Sequence, residues 1–308
     1  MARHPAYRAG LGFAAAAYLG WGLMSLYFHA TAFMSPPEVL DHRIIWSLVL
    51  TAFGTAFLVR RSEISLLFRN RRKLAGLFVS SLFLATNWLI FIWAVADGQA
   101  LEAGLGYFIC PLLSVTLGVV VFKERMTRIQ FGGLIIVAIG VALTTFAFGR
   151  LPWIALSLAG TFAIYGLCRK MLRLPAMLAL FTETALLVPF ALAHAFWLEK
   201  TGQGHFLMGS WHDQSLIVGL GLITTIPLLF FAGAANRLDL TSLGLMQYLN
   251  PTVQVSLAVL AYGEPFTLIH GLTFAAIWVG LAVFSLAPWL RRRQNTGRTV
   301  EPVLGLDN

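Results

Sequence analysis

Residues Leu101 to Glu124 read LEAGLGYFICPLLSVTLGVVVFKE, and the pattern returns later in the chain. With the numbering advanced by 140, Gly104, Leu105, Pro111, Val115, Leu117, Val119 and Glu124 fall on Gly244, Leu245, Pro251, Val255, Leu257, Val259 and Glu264 without a gap. The register continues through Thr127 and Thr267, Ile129 and Ile269, Gly140 and Gly280, and Ala142 and Ala282. Apolar bias alone aligns Leu with Leu, but it does not place a proline and a glutamate at the same separation in both copies. Self-similarity over this length is a property of a fold rather than of a local motif. The chain therefore reads as a duplicated half.

The duplicated unit belongs to a membrane protein. Of the 308 residues, 58% are hydrophobic and 11% charged, with a mean hydropathy of +0.77, whereas a soluble domain carries roughly 25% charged residues. The net charge of +9 resides in short basic segments between apolar runs, a pattern that sets membrane orientation and argues against nucleic acid as a partner. Cys110 and Cys168 both lie in apolar runs, so no disulfide framework exists. H-E-x-x-H, Walker A and G-x-S-x-G motifs are absent, as is paired-cysteine spacing. His42, His194 and His270 fall in different apolar segments without ligand spacing. Neither a metal nor another cofactor is expected, and nothing marks the chain as an enzyme.

Apolar segments of bilayer-spanning length, roughly 17 to 25 residues, lie near 10–28, 39–59, 74–96, 101–122 and 130–149. Five more lie near 152–168, 176–198, 215–236, 241–262 and 268–290. Arg3, His4 and Arg8 ahead of the first run resemble a signal peptide, but so many spans follow that it reads as a retained first helix. The predicted fold is an all-α membrane protein, with ten transmembrane helices as two five-helix repeats, residues 1–149 and 150–290. Residues 291–308 are expected to form a basic, then polar, disordered cytoplasmic tail.

Lys and Arg give the orientation. Arg60, Arg61, Arg69, Arg71, Arg72, Lys73, Lys123, Arg125, Arg128, Arg169, Lys170, Arg173 and Arg237 all lie on the side of both termini, with only Arg150 and Lys200 opposite. Both termini are therefore expected in the cytoplasm. Because each repeat has an odd number of spans, the second copy enters the membrane from the opposite face. This is the inverted repeat from which many secondary transporters build two alternating gates. Spans one and six agree, with Tyr18, Trp21 and Gly22 echoed by Phe162, Tyr165 and Gly166.

Within the second span, Asp41, His42 and Arg43 interrupt an apolar run. Ionisable groups at membrane depth are costly and usually face a cavity or a partner. A helix starting near Pro37 places Arg43 roughly 9 Å below the outer surface at about 1.5 Å per residue. The repeat offset carries Arg43 to Glu183 in span seven, at comparable depth from the other face. Arg43 and Glu183 are thus expected to flank a central polar cavity, with Arg43 attracting an anionic or polar substrate group and Asp41 or Glu183 carrying a coupling proton. A structural reading stays open beside this one: Arg43 snorkelling or stacking on Trp46, and Glu183 bonding a neighbouring helix.

Further binding candidates are Asn87 and Trp88 in span three, Tyr107 in span four, and Gln247, Tyr248 and Asn250 in span nine. Amide and phenol groups inside helices are satisfied across helices or by a ligand. Trp21 and Tyr165 would add aromatic walls, whereas Trp93 is expected to pack. Pro111 and Pro251 are expected mid-helix, where each would remove a backbone bond and mark a hinge or cavity wall. Glu124 and Glu264 end spans four and nine and are expected to be structural, capping the next helix or pairing Arg125 or Arg128. Asp97 and Glu102 bracket an outer turn and are expected to be solvated.

The segments HRIIWS (His42–Ser47), NWLIFIWAV (Asn87–Val95), LEAGLGYFICPLL (Leu101–Leu113), QYLNPT (Gln247–Thr252) and GEPF (Gly263–Phe266) together resemble the RarD, or chloramphenicol-sensitivity, family. That family lies in the EamA group of the drug/metabolite transporter superfamily, and the resemblance runs from span one to span ten. It implies a permease of two inverted halves in the bacterial inner membrane that moves small organic molecules. One departure is visible: the family's first-half motif usually reads G-Y-F-I-N-P, and Cys110 replaces that Asn, whereas Asn250 precedes Pro251 in the second copy. A thiol is a weak donor where an amide is a strong one. The reading is a secondary transporter working by alternating access. A membrane-embedded enzyme on lipid-linked substrates, using Asp41, His42 and Glu183, and an accessory subunit without its own flux are the alternatives.

Overall fold

The apolar runs fold as helices, and the breaks fall where the sequence cannot continue one. In the computed structural model, which describes residues 5–123, 128–149, 151–172, 174–235, 237–238 and 246–296, α1 spans Pro5–Ala30, α2 Pro36–Leu58 and α3 Arg61–Arg69. The chain continues through α4 (Arg71–Ala96), α5 (Ala100–Phe122), α6 (Arg128–Phe148) and α7 (Trp153–Leu172). It ends with α8 (Ala176–Lys200), α9 (Trp211–Ala235), α10 (Leu249–Leu260) and α11 (Leu268–Thr296). Extended Ser35 followed by prolines fixes the start of α2. Asn70 starts α4 by accepting the Lys73 N–H at 3.0 Å. Among the described residues every regular element is a helix.

Four helices are long and apolar enough to cross a bilayer unaided: α1, α4, α8 and α9. A fifth is α2 taken with α3, and shorter apolar helices occupy the places of the remaining five predicted spans. Between the second and third predicted spans the basic segment forms a short helix, α3, bent 119° from α2, with Ile64 and Leu67 packed on Leu77, Leu178 and Ala179 and its arginines exposed. Its apolar stripe is too short to register beside the long spans.

Span nine also needs correcting. Gln247 and Tyr248 form a turn, the Asn250 N–H bonds to the Gln247 carbonyl at 3.2 Å, and α10 begins only at Leu249. Pro251 is therefore in the first turn of α10, where its missing N–H has no intrahelical partner to lose. It marks a helix start, not a mid-helix kink. Pro111 lies in the middle of α5 as expected, and Pro189 and Pro227 lie inside α8 and α9.

The helices gather in two compact units: one from the described residues up to Val120 together with Pro152–Pro265, the other from Val121–Leu151 together with the chain from Phe266. Each unit takes helices from both sequence repeats. Inside the first, α2 packs on α8, α1 on α9, α4 on α7, α2 on α9 and α4 on α8. One repeat step turns α1 into α7, α2 into α8 and α4 into α9. Under that exchange the α1–α9 contact becomes α7–α4, the α2–α9 contact becomes α8–α4, and α2–α8 maps onto itself.

Inside the second unit, α6 packs on α11 through reciprocal glycines. A Cβ added to Gly140 would meet the Thr273 carbonyl at 3.3 Å and Ile277 at 3.7 Å. One added to Gly280 would meet the Gly133 carbonyl at 2.7 Å and Val137 at 2.6 Å. Residues 133, 137 and 140 are the repeat equivalents of 273, 277 and 280, so the contact is made with itself as in a two-fold interface. Small residues of this kind let helices in lipid approach closely. Backbone conformation repeats as well: Lys123 and Gly263, equivalent positions, both take positive φ, at 54° and 67°.

A side chain at Gly280 has nowhere to go, whereas one at Gly132 meets nothing within 4 Å. Gly280→Leu is expected to destabilise the protein by about 1–3 kcal/mol through overpacking, and Gly132→Leu to be neutral. Thermal melts of the two purified variants check this.

Candidate substrate-binding site

Buried charges in the first unit define where chemistry is concentrated. Glu38, Asp41, Arg43 and Glu183 are each less than a tenth exposed. Glu38 accepts the backbone N–H of His205 at 2.8 Å and faces its Nδ1 at 2.9 Å. Asp41 meets Nδ1 of His194 at 2.5 Å. Glu183 accepts the Ser80 hydroxyl at 2.7 Å and a longer contact from the Tyr165 hydroxyl at 3.4 Å. Arg169 stands 3.9 Å away, an ion pair without a hydrogen bond. Glu38 escaped the sequence reading because it sits at the helix start, where an acid is ordinary. Its partner lies in a loop 167 residues away.

Arg43 is held differently. Its Nε donates to Thr224 Oγ1 at 2.9 Å, and its guanidinium lies 4.0 Å from the centre of the Trp88 ring and 5.4 Å from that of Phe28. Nη1 is buried without a partner. The stacking on Trp46 offered as the structural alternative is not made: Trp46 packs on Phe206, at 5.7 Å, and its backbone lies where a Cβ on Gly221 would be. That close approach of α2 to α9 brings Thr224, one turn past Gly221, within reach of Arg43.

Asn87 ties three helices together. Its Nδ2 donates to the Leu158 carbonyl at 2.9 Å and to Thr161 Oγ1 at 3.0 Å, and its Oδ1 accepts the Tyr107 hydroxyl at 3.1 Å. From Phe28 a file of rings runs through Phe91, Tyr107 and Phe162 to Tyr165, with centroids 5.6–6.2 Å apart. Arg43, Trp88, Asn87, Tyr107, Tyr165 and Glu183 thus belong to one neighbourhood. Arg43 and Glu183 make no direct contact among the described residues, since each is engaged by other groups.

The remaining candidates form a second group. Trp21 packs with Tyr18 and Phe231, each at 5.7 Å. Gly22, beside it, would meet the Asn250 carbonyl. Asn250 Oδ1 accepts from Gln254 at 2.9 Å, and Gln247 and Tyr248 make up the turn ahead of α10. Trp21 is two helical turns from Phe28, or about 10 Å along α1. Trp93 packs on Trp153 at 5.4 Å. A surface depression between α1 and α9, lined by Leu23, Leu26, Leu222 and Ile226, is apolar and faces outward, as a lipid-facing seam would.

Two acids prove to be helix caps across elements. Glu264 accepts the Ala100 and Leu101 N–H groups, both at 2.8 Å, so it caps α5 and not the helix that follows it. Glu102, expected to be solvated, accepts the Ile154 N–H at the start of α7 at 3.0 Å. Four unpaired N–H groups at each helix start make such acceptors stabilising. Glu124 lies outside the described residues. Cys110 is buried.

Residues 8–146 match the EamA-like transporter family. A Vibrio cholerae protein described as an uncharacterized transporter is 40% identical over 279 residues, 91% of this chain and 92% of its own. Protein RarD of Escherichia coli is 39% identical over 287 residues, 93% of this chain and 97% of its own. A solved structure 19% identical superposes with a TM-score of 0.61 over 91% of this chain and 98% of that one, which shows a shared fold. The fold and these relatives define a multi-pass membrane transporter of the bacterial inner membrane type. The chain belongs to the EamA-like transporter family, among relatives that include RarD proteins.

Burial raises the Glu264 carboxyl above the ordinary range, with the two backbone N–H bonds pulling it back part of the way. Its stabilising contribution is therefore largest below the unfolded-state pKa and declines as pH rises through the raised folded value. Removing the cap in Glu264→Ala is expected to cost about 1 kcal/mol, with Glu264→Gln less affected. Melts of wild type and Glu264→Gln should nearly coincide at acid pH, where the carboxyl is protonated, and separate towards neutral pH, with wild type losing stability as Glu264 ionises.

Proposed function

We propose that the protein is a secondary transporter of small organic molecules that works by alternating access, its two inverted repeats supplying one gate each. The observation that carries this reading is Arg43: a buried guanidinium with a free Nη1, walled by aromatic rings, in a chain whose relatives are described as transporters. Arg43, Asn87, Trp88, Tyr107 and Tyr165 contact the substrate in this proposal. Trp21, Gln247, Tyr248 and Asn250 line the path further along α1, and the turn before α10 gives the moving half a soft point. Broken helices near a substrate site are a recurring transporter device.

Proton coupling is assigned to Asp41 or Glu183. Both are buried carboxylates next to a group able to compensate their charge, His194 for one and Arg169 for the other. Both termini are placed in the cytoplasm, following the basic segments.

The test is uptake of a mixed pool of labelled amino acids, nucleosides, amphenicols and organic acids into proteoliposomes, with and without a pH gradient. Wild type is expected to take up at least one solute, and Arg43→Ala to lose about tenfold or more of that flux, as for removal of a charged hydrogen-bonding group. Gradient-driven accumulation lost in Asp41→Asn or Glu183→Gln identifies the coupling carboxylate. Flux that survives all three substitutions contradicts the proposal.

A further inference from the structure

Three buried carboxylates in the first unit each have a cationic or imidazole partner: Glu38 with His205, Asp41 with His194, and Glu183 with Arg169. Arg43 is left over. Among the described residues no carboxylate pairs with it, Thr224 holds only its Nε, and Nη1 has no partner. Taking a guanidinium out of water without a counter-charge is costly, and the cation–π contacts with Trp88 and Phe28 offset only part of that cost.

The groups nearby share this bias. Ser47, one turn along α2 from Arg43, is fully buried with an unpartnered Oγ. Guanidinium and hydroxyl both supply donors. Beginning at Phe28, which faces the guanidinium, the file of rings leads away through Phe91, Tyr107 and Phe162.

We infer that this site takes an organic anion, with a carboxylate or similar group on Nη1 of Arg43 and a flat apolar body along the rings. The inference rests on the transporter reading and names its substrate class. Monoanions are preferred over neutral amides, which leave the guanidinium charge unbalanced. They are also preferred over zwitterionic amino acids, whose ammonium would need a carboxylate, and the buried ones are already engaged.

Equilibrium binding of labelled benzoate to the purified full-length protein, with unlabelled benzoate, benzamide and phenylalanine as competitors, tests this. Saturable benzoate binding is expected, with benzamide and phenylalanine competing about tenfold or more weakly. Arg43→Gln should abolish binding, and Arg43→Lys should keep part of it, since an ammonium supplies charge without the planar fork. Absence of saturable binding, equal competition by benzamide or phenylalanine, or wild-type binding by Arg43→Gln overturns the inference. The competition on wild type decides the question even where Arg43→Gln does not fold. Benzoate binding with no flux of any solute overturns the transporter reading alone. Flux of neutral or zwitterionic solutes that benzoate does not inhibit overturns the organic-anion inference alone.

Discussion

A charge buried inside a membrane protein must be compensated, and this constraint organises the first unit. Glu38, Asp41 and Glu183 draw His205, His194, Ser80 and Arg169 from other helices and from a loop, so that each buried acid is also a tie between elements. Arg43 obeys the same constraint by other means. Two aromatic faces and a threonine hydroxyl hold it, which leaves hydrogen-bonding capacity free in a place where free capacity is expensive. A structural arginine would be expected to find a carboxylate. One that does not is the basis of the proposal that its partner comes from outside the chain.

The second organising principle is the duplication. It sets the reciprocal α6–α11 glycines, the exchange of α1–α9 with α7–α4, and the shared backbone conformation at Lys123 and Gly263. The copies nevertheless differ where function is proposed. Arg43 and Glu183 are equivalent positions with opposite charge, and α5 is continuous where the second copy has a turn at Gln247 and Tyr248 before α10. Two halves with one backbone plan and different side chains are what a carrier with two unequal gates needs.

Much of this was legible in the sequence, because hydropathy and the Pro and Glu register are local signals. The spans, and the choice of Arg43 and Asn87 as polar groups buried within helices, followed from residue type and depth. What was not legible was long-range pairing. The partner of Glu38 is 167 residues away and that of Glu264 is 164 residues away, and no periodicity links them. Arg43 was within reach of Trp46 in sequence, yet it stacks on Trp88 from another helix, because Gly221 draws α9 against the Trp46 backbone and leaves that side closed. The turn before α10 was hidden for a related reason: Gln247 and Tyr248 carry no helix-breaking signal, and only the proline at 251 marks where a helix begins.

Alternating exposure of the Arg43 neighbourhood is the central claim, and thiol accessibility tests it most directly. With Cys110 and Cys168 replaced by serine, a single cysteine at Thr224, the residue bonded to Arg43, would be labelled with a membrane-impermeant maleimide in right-side-out and inverted vesicles. The account predicts labelling from both sides of the membrane. Labelling from one side only, or from neither, would contradict it.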